Sequence, residues 1–270
     1  MSSCVLDLYR RKPSWVTTGT IEPTEAAVLA TVVSTLRPRL LVEIGTASGV
    51  STAVLATAAE HTGGDWELHT LDAMETCYFD STRVVGQAAL ELLGGQHNIF
   101  FHRSCTNLDV QRILGEREID FVFIDASHAS PWAAADLLSV LPGLRVGAVV
   151  ALHDLQLPFK AGYAHQNGAR DLFRTWSGQK WVEPSAPNLG LLRFTDLGQA
   201  LTDIATCLQS DWDAPRTSET IAGFVTLLRP LEDVEYSGRA ACQRHFALCA
   251  PEVADGNRYT NPSRYPFARV

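Results

Sequence analysis

The stretch LLVEIGTASGVST, residues 40–52, decides the fold class of this chain. An apolar run contains the acidic Glu43 near its end and is followed by Gly45 and Gly49, after which Ser51 opens a helical pattern. This pattern is typical of a short buried strand that turns directly into a helix. In an α/β protein such a turn lies at the carboxyl edge of a parallel sheet, where ligands collect. The stretch therefore predicts a βα turn that is a candidate ligand site.

Strand-like and helix-like segments alternate from about residue 23 to residue 195. Strands are predicted at 39–44, 67–71, 98–102, 119–124 and 146–152, with a terminal antiparallel pair in KWVEP (180–184) and LGLLRF (189–194). Helices are predicted at 23–36, 51–60, 80–93 with Asp80 as N-cap, 107–114, 130–141 with Ser130 as N-cap, and 167–178. This alternation predicts an α/β fold, a doubly wound and mostly parallel sheet with helices on both faces. We expect an N-terminal segment (1–22), this domain (23–195) and a helical C-terminal extension (196–270) that forms a lid or an oligomer contact.

The composition narrows the class of protein. The 270 residues are 46% hydrophobic and 19% charged, which is ordinary for a folded protein with a substantial core. A net charge of −8 argues against a nucleic-acid partner, because no basic stripe is present to neutralise phosphates. No apolar run reaches the roughly 18 to 20 residues that span a bilayer. With six scattered cysteines and no secretory signal pattern, we expect a cytoplasmic protein with reduced thiols, a small-molecule partner and a homo-oligomeric state, dimeric or higher.

The glycine turn does not fit two familiar cofactor motifs. A dinucleotide fingerprint G-x-G-x-x-G would need glycine where Ala47 and Val50 stand, and a phosphate-binding P-loop would need a lysine that is missing. The turn suits a ligand without a phosphate that carries a charged amino-acid end and hydroxyl groups. The alternative is a βα turn in which Gly45 and Gly49 serve the backbone geometry alone.

The segment VEIGTASGVST (42–52), with LHTLDAM (68–74) downstream, resembles the first motifs of class I S-adenosylmethionine-dependent methyltransferases, particularly the O-methyltransferase branch. The resemblance covers roughly residues 25–195 and implies a seven-stranded Rossmann-like sheet. It implies that Asp72 holds the ribose hydroxyls of the cofactor and that Glu43 orders the turn. The remaining cofactor residues that it implies are Gly45, Thr46, Ser48, Gly49 and Ser51 at the methionine end, and Ala73, Met74 and Ser104 around the adenine.

A second group of polar residues follows the next two strands. Asp125 ends one strand, His128 lies three residues later, and His153 and Asp154 end the following strand. If these strands are neighbours, the side chains converge at the cofactor face, so that Asp125 adjoins the cofactor too. Two carboxylates and an imidazole are the ingredients of a divalent-metal site.

The pattern I-D-x-x-H followed by an acid pair resembles the metal-dependent sugar and antibiotic O-methyltransferases of methyltransferase family 24. This resemblance implies that Asp125 and Asp154 bind magnesium and that His128 is the catalytic base. The chain departs from the family at His153, where glutamate is common. His153 could ligate a softer ion such as Mn, Fe or Zn, act as a second catalytic base, or point into the sheet.

Together these features predict an S-adenosylmethionine-dependent O-methyltransferase, assisted by a divalent cation and acting on a sugar or aromatic hydroxyl of a secondary metabolite. Two alternatives stay open: a metal-free N- or C-methyltransferase with a histidine base, and a cofactor-binding protein without methyl transfer. Cys242, His245 and Cys249 lie on one helical face and are better explained by core packing than by zinc. Four aromatic residues flank the acceptor side and either form a substrate slot or pack in the core: Trp132, Phe159, Tyr163 and Trp176.

Overall fold

A computed structural model describes residues 2–95 and 98–231. The strands are β1 (Leu40–Ile44), β2 (Glu67–Asp72), β3 (Thr76–Cys77), β4 (Asp80–Val84), β5 (Ile99–Arg103), β6 (Ile119–Ile124), β7 (Leu144–Leu152), β8 (Lys180–Val182) and β9 (Gly190–Arg193). The helices are α1 (Ser2–Arg10), α2 (Pro23–Leu36), α3 (Val50–Glu60), α4 (Gln87–Leu93), α5 (Val110–Leu114), α6 (Trp132–Val140), α7 (Gly168–Thr175), α8 (Leu197–Leu208) and α9 (Ser218–Leu228).

Seven strands form one sheet in the order β5-β2-β1-β6-β7-β9-β8. The first five strands of that order pair in parallel, and β9 pairs antiparallel with both β7 and β8. The direction in which successive strands are added to the sheet changes at β1. Strands β2 and β5 lie on one side of β1, and β6 and β7 lie on the other. The predicted doubly wound, mostly parallel sheet is confirmed.

The sheet is buried on both faces, which explains why its strands are continuous apolar runs. Along β6, Phe121 and Phe123 belong to one core cluster, while Val122 and Ile124 belong to the other. Successive strand residues point to opposite faces, so both alternating sets must be apolar when both faces are covered. Helices α1, α2 and α3 pack against one another, and so do α6, α7 and α8.

The segment predicted as one helix over 80–93 is a hairpin followed by a shorter helix. Strands β3 and β4 pair with each other, and α4 begins only at Gln87 after Gly86, whose φ is 78°. The Asp80 carboxylate accepts hydrogen bonds from the backbone N–H and the hydroxyl of Thr82 (3.0 and 2.7 Å), and so closes a local turn instead of capping a helix. Helix α6 likewise begins one residue late, at Trp132, with Pro131 at its N-cap position rather than Ser130.

The described part of the C-terminal extension packs on the sheet. Leu201 and Ile204 of α8 and Phe224 of α9 are buried in the same core cluster as Trp132 of α6. Residues 232–270 lie outside the described residues, and with them the predicted packing of Cys242, His245 and Cys249. None of the described helices is long and apolar enough to cross a membrane.

Candidate active site

The glycine turn between β1 and α3 is packed tightly against two neighbouring loops. Gly45 and Gly49 have φ values of 99° and 91°, in the region that favours glycine. A β-carbon on Gly45 would lie 2.1 Å from the carbonyl oxygen of Asp125, and one on Gly49 would lie 2.9 Å from the α-carbon of Gly86. Both glycines are therefore required by the packing of the turn itself. The close approach also places the turn directly beside the loop that follows β6.

Glu43 joins three elements from beneath this turn. Its carboxylate is fully buried and accepts hydrogen bonds from the hydroxyls of Ser51 (2.6 Å), Thr52 (2.5 Å) and Thr70 (2.6 Å). Burial raises the pKa of Glu43 to about 7, against the opposing effect of the three hydroxyls. The hydroxyl of Thr46 contacts that of Thr70 at 2.5 Å. The side chains of Thr46 and Ser51 are thus turned into this buried network, and Glu43 fixes the start of α3.

Asp72, at the end of β2, holds the turn from the other side. One carboxylate oxygen accepts from the backbone N–H of Ala47 (2.9 Å), and the other accepts from that of Met74 (2.8 Å). Each carboxylate oxygen can accept more than one hydrogen bond, so Asp72 can also accept from a ligand's hydroxyls. Asp72, Ala73 and Met74 are all half-buried at the edge.

Two serines predicted to contact the cofactor differ in their surroundings. The hydroxyl of Ser48 is buried and makes no hydrogen bond within the described ranges. Ser104 is exposed, and its hydroxyl donates to Glu75 at 3.2 Å. The backbone N–H of Ser104 points at the carbonyl of Met74 (3.4 Å), which ties the loop after β5 to the loop after β2.

The next two strands bring together Asp125, His128 and Asp154. Strands β6 and β7 are parallel neighbours with Ile124 opposite Leu152, so the residues that follow them meet. Within the described residues, one ligand atom from each of the three side chains lies within 4.8 Å of the others. His128 Nε2 is 3.3 Å from Asp154 Oδ2, and Asp154 has a φ of 64°, uncommon for a residue with a side chain. The three residues form a half-buried cluster suited to a cation.

His153 lies behind this cluster, between Asp125 and the buried Glu25. Its Nδ1 atom lies 3.0 Å from Asp125 Oδ1, and its Nε2 atom lies 3.0 Å from Glu25 Oε2. Burial alone would lower the pKa of His153, but the Asp125 and Glu25 carboxylates raise it well above its ordinary value. Both ring nitrogens of His153 therefore face carboxylates in this structure. The metal-ligand and base roles expected for His153 from the sequence stay predictions.

Sequence reasoning missed two residues that complete this arrangement. Glu25 lies in the first turn of α2 and is 3% exposed, and Asn188 precedes β9. The amide of Asn188 donates to Asp154 Oδ1 at 2.9 Å. In its local sequence Glu25 looks like an ordinary acidic residue in the first turn of a helix. Its partner His153 lies 128 positions further along the chain. No local pattern in the sequence could indicate either contact.

The four aromatic residues predicted at the acceptor side divide into two pairs. Trp132 and Trp176 are buried in the core, whereas Phe159 and Tyr163 are exposed. A further exposed aromatic is Tyr78, at the tip of the β3–β4 hairpin. Partial burial raises the pKa of Tyr78, and the nearby charges of Asp125 and Asp154 raise it further. The hairpin therefore brings Tyr78 close to the carboxylate cluster.

The seven-stranded, mostly parallel sheet with helices on both faces is a Rossmann-like fold that solved methyltransferases share. Residues 42–155 match a family model described as a methyltransferase domain, methyltransferase family 24. Residues 42–155 therefore form a methyltransferase domain of the family 24 type. The family resemblance seen in the sequence is confirmed.

Solved structures share the fold at low identity. The O-methyltransferase TomG from Streptomyces achromogenes, which is involved in tomaymycin synthesis and was solved with S-adenosylmethionine, is 22% identical, with a TM-score of 0.52 over 72% of this chain and 89% of that chain. An O-methyltransferase from Bacillus cereus with S-adenosylhomocysteine is 19% identical, with a TM-score of 0.50 over 71% and 90%. The S-adenosylhomocysteine-bound methyltransferase PaMTH1 from Podospora anserina is 14% identical, with a TM-score of 0.51 over 72% and 87%. No curated protein sequence matches the chain significantly.

Proposed function

We propose that this protein transfers the methyl group of S-adenosylmethionine to a hydroxyl group of a small molecule, with the help of a divalent cation. The observation that carries this proposal is the Asp125–His128–Asp154 cluster, which adjoins the glycine turn. The adjacency follows from the packing of Gly45 against the backbone of Asp125. Methyl transfer requires a sulfonium site beside a group that activates the acceptor, and this edge of the sheet offers both.

The residues present fit the cofactor. Asp72 offers carboxylate oxygens to the ribose hydroxyls, and its two backbone contacts fix their direction. The buried hydroxyl of Ser48, without a partner among the described residues, suits the polar methionine end. When bound, S-adenosylmethionine supplies an electrophilic methyl group. The remaining chemistry belongs to the acceptor hydroxyl and the residues around it.

The same edge fits a divalent cation. Asp125 and Asp154 each have one oxygen held by a protein donor, from His153 and Asn188 respectively. Three carboxylates, those of Glu25, Asp125 and Asp154, surround one imidazolium, so this group carries a net charge of −2 that a divalent cation would balance. Carboxylate oxygens suit a hard ion such as Mg²⁺. When bound, the cation lowers the pKa of an acceptor hydroxyl.

His128 is placed to receive the proton of the acceptor. Its side chain is about one-third exposed, and its Nε2 atom faces Asp154 Oδ2. With the ring proton on Nε2, the Nδ1 atom has a lone pair that can accept a proton. The deprotonated oxygen would then be the nucleophile that takes the methyl group supplied by bound S-adenosylmethionine. The products are the methyl ether and S-adenosylhomocysteine.

The surface around this edge supports a small acceptor with an aromatic or sugar character. Exposed Phe159 and Tyr163 follow β7, and Tyr78 comes from the β3–β4 hairpin. Aromatic faces pack well against flat or apolar ring faces, and the phenols can hydrogen-bond to acceptor hydroxyls. The net charge of −8 disfavours a nucleic-acid substrate.

One assay tests the proposal: release of S-adenosylhomocysteine across a panel of sugar and phenolic acceptors, with added Mg²⁺ and after exhaustive chelation. We expect turnover that chelation abolishes and that Mg²⁺ restores. Turnover that survives chelation would show a metal-free methyltransferase instead. Tight cofactor binding with no release for any acceptor would favour a protein without methyl transfer. No calorimetric binding of either cofactor form at millimolar concentration would end the proposal.

A further inference from the structure

We propose that Glu25 is a positioning residue of this active site, which acts through His153 to orient Asp125. The inference rests on the proposed function for the role of Asp125, but its geometry stands on three side chains alone. Glu25, His153 and Asp125 form a continuous line from the first turn of α2 to the end of β6. Nothing in the family resemblance points to Glu25.

Glu25 is held rigidly where it begins this line. Its Oε2 atom accepts the backbone N–H of Glu22 at 2.5 Å and lies 3.0 Å from His153 Nε2. Burial raises the pKa of Glu25, but His153 and the hydrogen bonds from Glu22 and Asn188 together leave that pKa below its ordinary value. A buried charge persists only when it is paired. Glu25 and His153 therefore stabilise each other as a charged pair.

His153 transmits this pairing to Asp125. The imidazole ring packs edge-on against Phe123, with centroids 6.1 Å apart and an interplanar angle of 61°. With Nε2 directed to Glu25, the opposite ring atom Nδ1 must point at Asp125 Oδ1, 3.0 Å away. Within the described ranges no hydrogen bond reaches Asp125 Oδ2. The contact with His153 thus occupies Oδ1 of Asp125 and leaves Oδ2 available to a ligand.

Asn188 cannot replace Glu25 in this role. Its amide nitrogen lies 3.3 Å from His153 Nε2, but both atoms are donors when the ring is charged. The amide donates instead to Asp154 Oδ1. Among the described residues, Glu25 is the carboxylate that His153 Nε2 reaches. Outer partners of this kind typically change metal affinity or activity by about 10- to 100-fold.

The test compares Glu25→Gln with Glu118→Gln, which makes the same change of charge at an exposed position just before the opposite end of β6. The first readout is the protected imidazole N–H proton resonance of His153 at one fixed pH, assigned by its absence in His153→Asn. The second readout is calorimetric affinity for Mn²⁺ in the presence of S-adenosylhomocysteine. The third is the affinity for S-adenosylhomocysteine itself.

We expect Glu25→Gln to shift or abolish the His153 N–H resonance and to weaken Mn²⁺ binding by about 10-fold or more. Affinity for S-adenosylhomocysteine should stay within about twofold, and Glu118→Gln should match the wild type in every readout. Glu25→Asp keeps the buried charge but shortens the side chain by one methylene group, and it replaces Glu25→Gln in the test if that variant does not fold. Glu25→Asp should change the His153 resonance and the Mn²⁺ affinity in the same direction but by a smaller amount.

Two outcomes separate this inference from the proposed function. If the wild type binds Mn²⁺ and both Glu25 variants retain its affinity and the His153 resonance, the positioning role is wrong. If the wild type binds no Mn²⁺, the cation assignment fails, and the resonance of the Glu25 variants alone decides the inference. An unchanged resonance then overturns it.

Discussion

The Nδ1 atom of His153 lies 3.0 Å from Oδ1 of Asp125, at the ends of two neighbouring parallel strands. This contact divides the polar residues of the edge into two groups. His153 belongs with the buried Glu25 on the inner side, while Asp125, His128 and Asp154 form the cluster open to ligands. A motif that is contiguous in sequence, His153 followed by Asp154, therefore supplies one residue to each group.

Asp125→Asn should abolish cation-dependent methyl transfer, with a loss of about 100-fold or more in kcat. The amide removes the charge that a cation needs and offers one oxygen where the carboxylate offers two. Steady-state kinetics with an active acceptor, beside calorimetry with S-adenosylhomocysteine, would measure it. Glu118→Gln is the matched control, since Glu118 is exposed at the opposite end of the same strand. Undiminished turnover in Asp125→Asn would show that the cation assignment is wrong.

Asp72→Asn should weaken binding of S-adenosylhomocysteine by about 10- to 100-fold, which corresponds to a hydrogen bond with a charged partner. An amide keeps one acceptor oxygen but sets its nitrogen against either the Ala47 or the Met74 N–H. Calorimetry gives the dissociation constant, and exposed Asp65→Asn, just ahead of the same strand, is the control. Equal affinity in both variants would remove Asp72 from the cofactor site.

Gly45→Ala should destabilise the fold by about 3 kcal/mol, well above the effect of Gly63→Ala. Both glycines have positive φ values, 99° and 70°, so both substitutions carry backbone strain of about 1–2 kcal/mol. Only at Gly45 does the new β-carbon meet backbone atoms, at 2.1 Å from the Asp125 carbonyl oxygen, while Gly63 has nothing within 4 Å. Urea unfolding measures both. Equal losses would mean that the turn does not pack on the β6 loop in solution.

Asp136→Asn should become more stable relative to the wild type as the pH rises. Burial raises the pKa of Asp136 from 3.8 to about 7, against one hydrogen bond from Asn107. The folded state therefore binds a proton between pH 3.8 and about 7 where the unfolded state does not, so stability falls as pH rises through that window. The slope reaches about 1.4 kcal/mol per pH unit.

The measurement is the difference in unfolding free energy between Asp136→Asn and the wild type at pH 5, 6, 7 and 8, at roughly these spacings. The unfolding free energy of Asp136→Asn minus that of the wild type should increase up to about pH 7 and then stay constant. Above the folded-state pKa, Asp136 is ionised in both the folded and the unfolded protein. Asp65→Asn, exposed and remote from this core, should show no such trend. A difference that does not change with pH would contradict the buried, proton-binding state of Asp136.

Periodicity predicted the sheet because both of its faces are covered. Val122 and Phe123 are both apolar since each faces a different core, and this makes β6 conspicuous in sequence. The hairpin of β3 and β4 was missed for the opposite reason. It is short and half-exposed, and its helix boundary depends on Gly86, whose missing side chain leaves room for the ring of Phe101 from a distant strand.

The sequence alone determined the sheet, the glycine turn and the residues at its carboxyl edge, because strand ends and turns are local features of pattern and spacing. It also placed Asp125, His128 and Asp154 near one another, since parallel strands end at the same edge. Only the tertiary structure decided the partners of His153. Its ring nitrogens pair with Asp125 and with Glu25, 128 positions away, because only the folded chain brings these two carboxylates together.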